Sequence, residues 1–374
     1  MEILVFIAVI VALIVVHEFG HFIAAKLSGM RVDEFGLGYP PRALTLGKIG
    51  ETEYTLNWLP FGGFVKIYGE DPGTTTTKTR LVTGHAAEER AFYNKNRFLQ
   101  AIVLVAGIAM NLVFAYVLIT SALVMGTPRA LMPSELATAT HLELAVANVL
   151  PGSPAARAGL LAGDSVMSAE DTMGQWHATD PVSFSAFVAA SEGNPITLSV
   201  KHDGSEHTVT ATPVSGIVKA DPSRFALGVE VATIGVVPVS FGAALTEGAS
   251  LTWDTTVLTA QGLWHFFYGV FTLSADLSQV AGPIGIAGAV GSASAQGLGD
   301  LLSIMAVISI NLALINLIPV PALDGGRLLF VLIESVIRRP IKPSVARAIN
   351  AVGFVALVLL MVVVTAHDIF RIVG

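Results

Sequence analysis

The stretch VVHEFGHFIAAK, residues 15 to 26, closes an apolar run that begins at Ile3. His17 and His21 are four residues apart, so a helix puts both imidazoles on one face. Glu18 stands beside them. Two imidazole nitrogens can hold one metal ion, and the carboxylate can take a proton from water on that ion. This is the HExxH arrangement of a zinc-activated hydrolysis site, where water is acidified to a pKa of about 7 and a carbonyl is polarised. A five-letter pattern also arises by chance, so its position decides. His17 lies ~22 Å along the helix at ~1.5 Å per residue, still within bilayer depth. An ionisable residue at the centre of a spanning helix costs roughly 2.5 to 3.5 kcal/mol. Snorkelling from the helix end accounts for His21 better than for His17 and Glu18. A metal in a protein-lined cavity accounts for all three.

The elements that must position such a site can be read from composition. The chain has 374 residues, 53% of them hydrophobic and only 13% charged. Ordinary soluble domains carry about 25% charged residues, so this composition points to a membrane protein with some soluble mass. There is no cysteine, which excludes disulfides, thiolate metal sites and cysteine nucleophiles. The net charge of −7 argues against nucleic acid as a partner. The first run lacks a basic flank and a small-residue cleavage site, so it reads as a retained helix rather than a signal peptide.

Four stretches reach spanning length: residues 1–25 (apolar from Ile3), 98–125, 301–325 and 349–370. A fifth, near 255–273, is interrupted by Gln261 and His265 and reads as an interfacial amphipathic helix within a linker, 216–300. Residues 26–97 hold ten Lys/Arg, the much longer 126–300 only five, and 324–348 five again. The positive-inside rule then puts the loops 26–97 and 326–348 in the cytoplasm, and both termini and the long middle region outside.

A catalytic zinc needs a third protein ligand and an open position. The first and third helices both run inward, so their ends share one depth. There stands NLIPVPALDGGRL, residues 316 to 328. Asp324 is the carboxylate at that depth. Pro319 and Pro321 break the helix, and irregular backbone at membrane depth is expected only where it lines a cavity.

Two soluble pieces complete the pattern. In the cytoplasmic loop, EYTLNWLPFGGFVKIYGE alternates apolar and polar residues and predicts a membrane-associated β-hairpin over about 52–68, with Gly62-Gly63 at its turn. The run Thr74 to Thr77 reads as a surface loop. Residues 126–215 read as a small β-rich domain with a hairpin around HDGS. Its PGSPAARAGLLAGDSV resembles a PDZ signature, and PDZ domains bind extended peptides by strand addition.

Taken together, HEFGH in a first membrane helix, a PDZ-like insert and NLIPVPALDGG in a third helix resemble the site-2 protease family of intramembrane zinc metalloproteases (peptidase M50-like). The bacterial regulator of sigma-E protease branch is the nearest. The resemblance covers nearly the whole chain. It implies zinc held by His17, His21 and Asp324, with Glu18 as general base. It also implies that FGGFVK, with Phe61, Gly62, Gly63 and Phe64, holds substrate in extended form, and that Asn311, Asn316 and Pro319 position the substrate strand or the active-site helix. GPIGI, residues 282 to 286, matches a stretch before the family's third helix. VAGIAMN, 105 to 111, resembles its GPxxN motif, with Ile108 in place of proline. One PDZ-like unit is visible where some relatives have two.

The expected fold is a polytopic α-helical membrane protein with four transmembrane helices, a membrane-associated β-hairpin and one extracytoplasmic PDZ-like α+β domain. The expected activity is Zn2+-dependent cleavage of single-span membrane proteins, such as anti-sigma factors or signal peptide remnants, in a bacterial inner membrane. The active site would lie near the cytoplasmic side, with the bilayer and a peptide or substrate ectodomain at the PDZ-like domain as further partners. The rival readings are a non-catalytic membrane PDZ adaptor with a structural metal, and a metal transporter. Against the transporter stand the absence of an internal repeat and of further acidic or His residues along the helices. His85, His141, His202, His207, His265 and His367 receive no role.

Overall fold

The computed structural model describes residues 2–70, 88–132, 135–177, 179–202, 205–218, 221–237, 239–272 and 281–373. The expected loop Thr74 to Thr77 and the turn residues Asp203 and Gly204 lie outside the described residues. The chain divides into two compact units: Met1–Ala122 with Gly242–Gly374, and Leu123–Phe241.

The first unit is helical, with one curled sheet. Its long helices are α1 (Glu2–Leu27), α2 (Arg97–Met125), α5 (Phe241–Phe271), α7 (Leu298–Leu317) and α9 (Pro343–Val373). Within them Ile3–Leu27, Arg97–Met125, Leu298–Leu317 and Pro343–Phe370 are long and apolar enough to cross a membrane. The helix expected at 255–273 begins earlier, as α5. Where α5 crosses α2, a Cβ on Gly248 would lie 2.3 Å from Thr120 Oγ1, so only glycine permits the contact. The short α6 (Pro283–Gln296) is ~21 Å long at ~1.5 Å per residue, below the ~30 Å hydrocarbon thickness. Its Val290 packs with Val9 and Leu13 of α1. The first-turn N–H groups of Gly282 and Gly285 donate to the buried Asp368 carboxylate of α9 at 3.2 and 2.9 Å. Four N–H groups at a helix start lack intrahelical partners, and Asp368 takes up two of these donors. That accounts for the GPIG sequence, since a Cβ at Gly282 would sit 2.6 Å from Asp368 Oδ2.

The third spanning helix ends sooner than expected. α7 stops at Leu317, an irregular segment succeeds it, and a new helix, α8 (Asp324–Ile337), starts at Asp324 itself. The stretch expected as the cytoplasmic loop 326–348 is thus mostly helical, in α8 and the start of α9. Pro319 and Pro321 lack N–H groups and stop α7. The segment's remaining N–H groups are paired: Val320 to Ile318 O at 2.7 Å, Leu323 to Val320 O at 3.2 Å, and Ala322 to Asn350 Oδ1 at 3.4 Å. Gly325 and Gly326 let the segment fold back, because Cβ atoms there would meet the Ile318 and Val320 carbonyls at 2.3 Å.

The sheet corrects the expected hairpin. Its strands are β1 (Val32–Ile49) and β2 (Thr52–Ile67), so the turn is Gly50-Glu51 and Gly62-Gly63 lie within β2. Both strands bend. Glu34 stands opposite both Lys66 and Glu53, and Leu37 opposite both Gly63 and Leu56, so residues 34–37 lie between two limbs of β2. The 63–67 limb is therefore an edge. At the turn, Glu51 accepts from both Arg90 guanidinium nitrogens at 2.6 and 2.7 Å and from Lys26 at 3.0 Å. These cations hold its carboxyl below the ordinary glutamate range, Arg90 foremost. A lowered folded-state pKa contributes stability that is present above the unfolded value and lost as pH falls through the folded one. Glu51→Gln is expected to lower the melting temperature at neutral pH, with the gap to the native chain closing in acid. Thermal melts at neutral and acid pH check this.

The second unit is a sheet with two short helices. Its strands are β3 (Arg129–Ala130), β4 (Thr140–Val149), β5 (Ser165–Glu170), β6 (Gln175–Trp176), β7 (Ile196–His202), β8 (Ser205–Ala211) and β9 (Val229–Val236). Their order is β3-β9-β4-β5-β7-β8, with β6 on β5. Alternate residues point to one face, and Ile196, Leu198 and Val200 of β7 accordingly enter the core with Leu144, Val166 and Phe184. The helices α3 (Pro154–Ala158) and α4 (Pro181–Ala190) are capped by Ser153 and Asp180. The hairpin around HDGS is present as β7 and β8. β9 lies beyond residue 215, so the unit is longer than expected from local patterning.

Candidate metal centre and active site

His17, Glu18 and His21 sit in the C-terminal half of α1, and both histidines are buried. Asp324, first residue of α8, places Oδ2 2.9 Å from His17 Nε2 and 3.2 Å from His21 Nε2. The two Nε2 atoms are 3.2 Å apart. Zinc–nitrogen and zinc–oxygen bonds of ~2.0–2.1 Å in tetrahedral geometry put neighbouring ligand atoms ~3.3 Å apart. The triangle is thus the size one ion needs. It is the metal-competent group of His and carboxylate side chains found among the described residues.

The tautomers agree. His21 Nδ1 is 2.8 Å from the Val103 carbonyl, which can only accept, so Nδ1 carries the proton and Nε2 keeps its lone pair. Beside His17 Nδ1, at 3.3 Å, is the Asn111 amide nitrogen, while Asn111 Oδ1 is buried with no partner among the described residues. A half-turn of the side-chain amide exchanges its oxygen and nitrogen in the same space. With the amide turned over, His17 Nδ1–H donates to Oδ1, the orphan oxygen is satisfied, and His17 Nε2 is also free to ligate. Ser309 Oγ donates to the Asn111 carbonyl at 2.8 Å and ties α7 to this point.

Glycine lets α1 and α2 approach this closely. A Cβ on Gly107 would lie 2.3 Å from His21 Nε2, one corner of the metal-competent triangle. A Cβ on Gly20 would lie 2.4 Å from Ala106 O. Gly107 and Asn111 are four apart on α2 and face His21 and His17, four apart on α1. The site-residue expectations omitted this pairing. The spacing within VAGIAMN was its only trace in the sequence.

Glu18 turns toward the sheet. Its Oε2 accepts from the Val65 N–H at 3.0 Å. That N–H points from the edge limb of β2 toward α1 rather than toward β1. Gly62 and Gly63 lie against α1, where added Cβ atoms would come within 3.2 Å of Ile14 and 3.8 Å of Glu18 Cγ. Phe64, next in the strand, stacks on Tyr39. Phe61 is placed on β2 by its backbone. Asn311, Asn316 and Pro319 are not brought into the triad. Asn311 Nδ2 donates to Val307 O within α7 at 3.0 Å, Asn316 is half-buried near the end of α7, and Pro319 is exposed in the irregular segment.

The profile of Peptidase family M50 matches residues 5–360. A Clostridium perfringens protein bearing a zinc metalloprotease name is 34% identical over 358 residues, covering 96% of this chain and 95% of its own. A similarly named Nostoc protein is 32% identical, with 96% and 93% covered. Zinc metalloprotease RasP of Geobacillus kaustophilus is 28% identical, with 97% and 96% covered. The coverage is end to end, and the paired histidines and aspartate stand inside it: the chain belongs to peptidase family M50 and is a zinc metalloprotease.

Proposed function

We propose that this metalloprotease cuts single-span membrane proteins within the bilayer, in regulated intramembrane proteolysis. The observation that carries the reading is the contact of Glu18, beside the His17–His21–Asp324 triangle, with the edge limb of β2. A transmembrane helix hides its carbonyls in hydrogen bonds, so substrate must first unwind. An extended segment can then pair with the 63–67 edge, with Gly62, Gly63 and Phe64 at its approach and Phe61 beside them. Asn311, Asn316 and Pro319 are proposed to act on the same strand from the α7 side.

His17, His21 and Asp324 would hold the zinc, which when bound would supply Lewis acidity and lower the pKa of water. Glu18 takes the proton of the attacking water and delivers it to the departing amine nitrogen. His21 and His17 keep their Nδ1 protons on Val103 and Asn111, so neither imidazole enters the proton transfer.

The Lys/Arg distribution supports a bacterial plasma-membrane topology with both termini outside and the site near the cytoplasm. Exposed Trp253, Trp264 and Tyr268 on α5 suit an interfacial helix. The Leu123–Phe241 unit is proposed as PDZ-like, acting on a peptide or substrate ectodomain by strand addition. Its capped α3 after a proline-glycine turn supports this.

The test uses purified full-length protein and a tagged single-span membrane protein. Cleavage within the span is expected, lost on chelation and regained with zinc. A protein that keeps one zinc per chain and never cuts within such a span would overturn the intramembrane reading.

A further inference from the structure

A second cavity, of about 700 Å3, lies in the first unit and shares no residue with the metal triangle. That volume falls within the range of ligand sites, roughly 300 to 1,000 Å3. Five of its wall residues are ionisable in a way that matters. Arg97 pairs with Glu334 at 2.7 Å and Arg327 pairs with Glu70. Lys342 has no ion-pair partner among the described residues. Among the described residues the wall thus carries three cations against two carboxylates, and the cation without an ion-pair partner is Lys342.

The cavity's depth is readable from the helices. Arg97 opens one candidate span and Pro343, beside Lys342, opens another. Leu104, also in the wall, is seven residues into its span, ~10 Å deeper at ~1.5 Å per residue. On α8, Arg327, Phe330 and Glu334 face the cavity, while Leu329, Leu332, Val336 and Ile337 are exposed on the other side. A short helix with one apolar exposed face suits the membrane interface. The cavity therefore runs from headgroup level into acyl level, basic at the mouth and apolar at the depth of Leu104.

We propose that this cavity binds an anionic phospholipid of the cytoplasmic leaflet, its phosphate at Lys342 and an acyl chain along Phe330 and Leu104. Basic pockets between helices on the cytoplasmic side take such headgroups. The choice of leaflet rests on the topology proposed above, but binding does not require proteolysis, so the two readings fail separately.

The experiment is native mass spectrometry of the purified full-length protein. Phosphatidylglycerol is titrated against phosphatidylcholine of the same chains, and against glycerol phosphate as the headgroup without its chains. Phosphatidylglycerol is expected to bind one to one and more tightly than either. Lys342→Gln is expected to weaken it ~5-fold, the factor for about 1 kcal/mol per basic side chain at a membrane surface. Arg339→Gln removes an equal charge from an exposed neighbour outside the wall and is expected to change nothing. Equal weakening by both variants would reduce the effect to general surface charge and overturn the site. So would equal binding of the two lipids, or glycerol phosphate binding as tightly as the lipid.

Discussion

Glu18→Gln is expected to lower proteolysis by about 10²–10⁴-fold, the usual contribution of a general base, while one zinc per chain remains. The substitution keeps size and an acceptor oxygen, so the 3.0 Å bond from the Val65 N–H can persist. It leaves His17, His21 and Asp324 in place. It removes the capacity to hold a proton between the attack on the carbonyl and the departure of the amine. Zinc content and cleavage rate, measured on one preparation, decide. Undiminished cleavage would take the base role from Glu18. Loss of zinc together with activity would make Glu18 a prop of the metal site.

Gly107→Ala has the next largest expected effect, although Gly107 carries no chemistry. One added methyl must occupy a point 2.3 Å from His21 Nε2, well inside the ~3.5–4.0 Å at which carbon atoms rest in contact. His21 cannot swing aside without leaving the Val103 carbonyl, and α2 cannot retreat without parting from Gly20. Zinc affinity is expected to fall at least about 10- to 100-fold, the range for losing a ligand's supporting contact. Gly242→Ala is the control, since its Cβ would meet nothing within 4 Å. Competition with a chelator of known affinity reads both. Full zinc affinity in Gly107→Ala would mean that α1 and α2 separate freely at the site.

The proposed metal ligands were legible because charge in an apolar run is conspicuous and helical period is local. His17 and His21 are given away by their spacing, and Asp324 by the matching depth expected when two helices are both read as running inward. The structure does bring Asp324 to the two histidines, but in a different element. Asp324 opens α8 instead of closing the third spanning helix, because Pro319 and Pro321 mark a break but not the structure beyond it. The sheet was misread for a related reason. Alternation in 52–67 announces a strand but not its partner, and the partner carries Pro40-Pro41, poor strand residues that hide β1. Gly107 and Asn111 were harder still. A glycine's value lies in the atom across from it, and that atom belongs to another helix.

The Val65 N–H has a single hydrogen, and the resting protein gives it to Glu18. A strand that pairs with β2 at this point claims the same hydrogen. If substrate pairs there as proposed, arrival of a peptide and release of the carboxylate are two descriptions of one exchange, and the proposed base is unlocked by its own target. Water alone offers no such competitor in register with the strand. On the proposed reading, the hydrolytic centre would be kept from acting until something extended lies beside it.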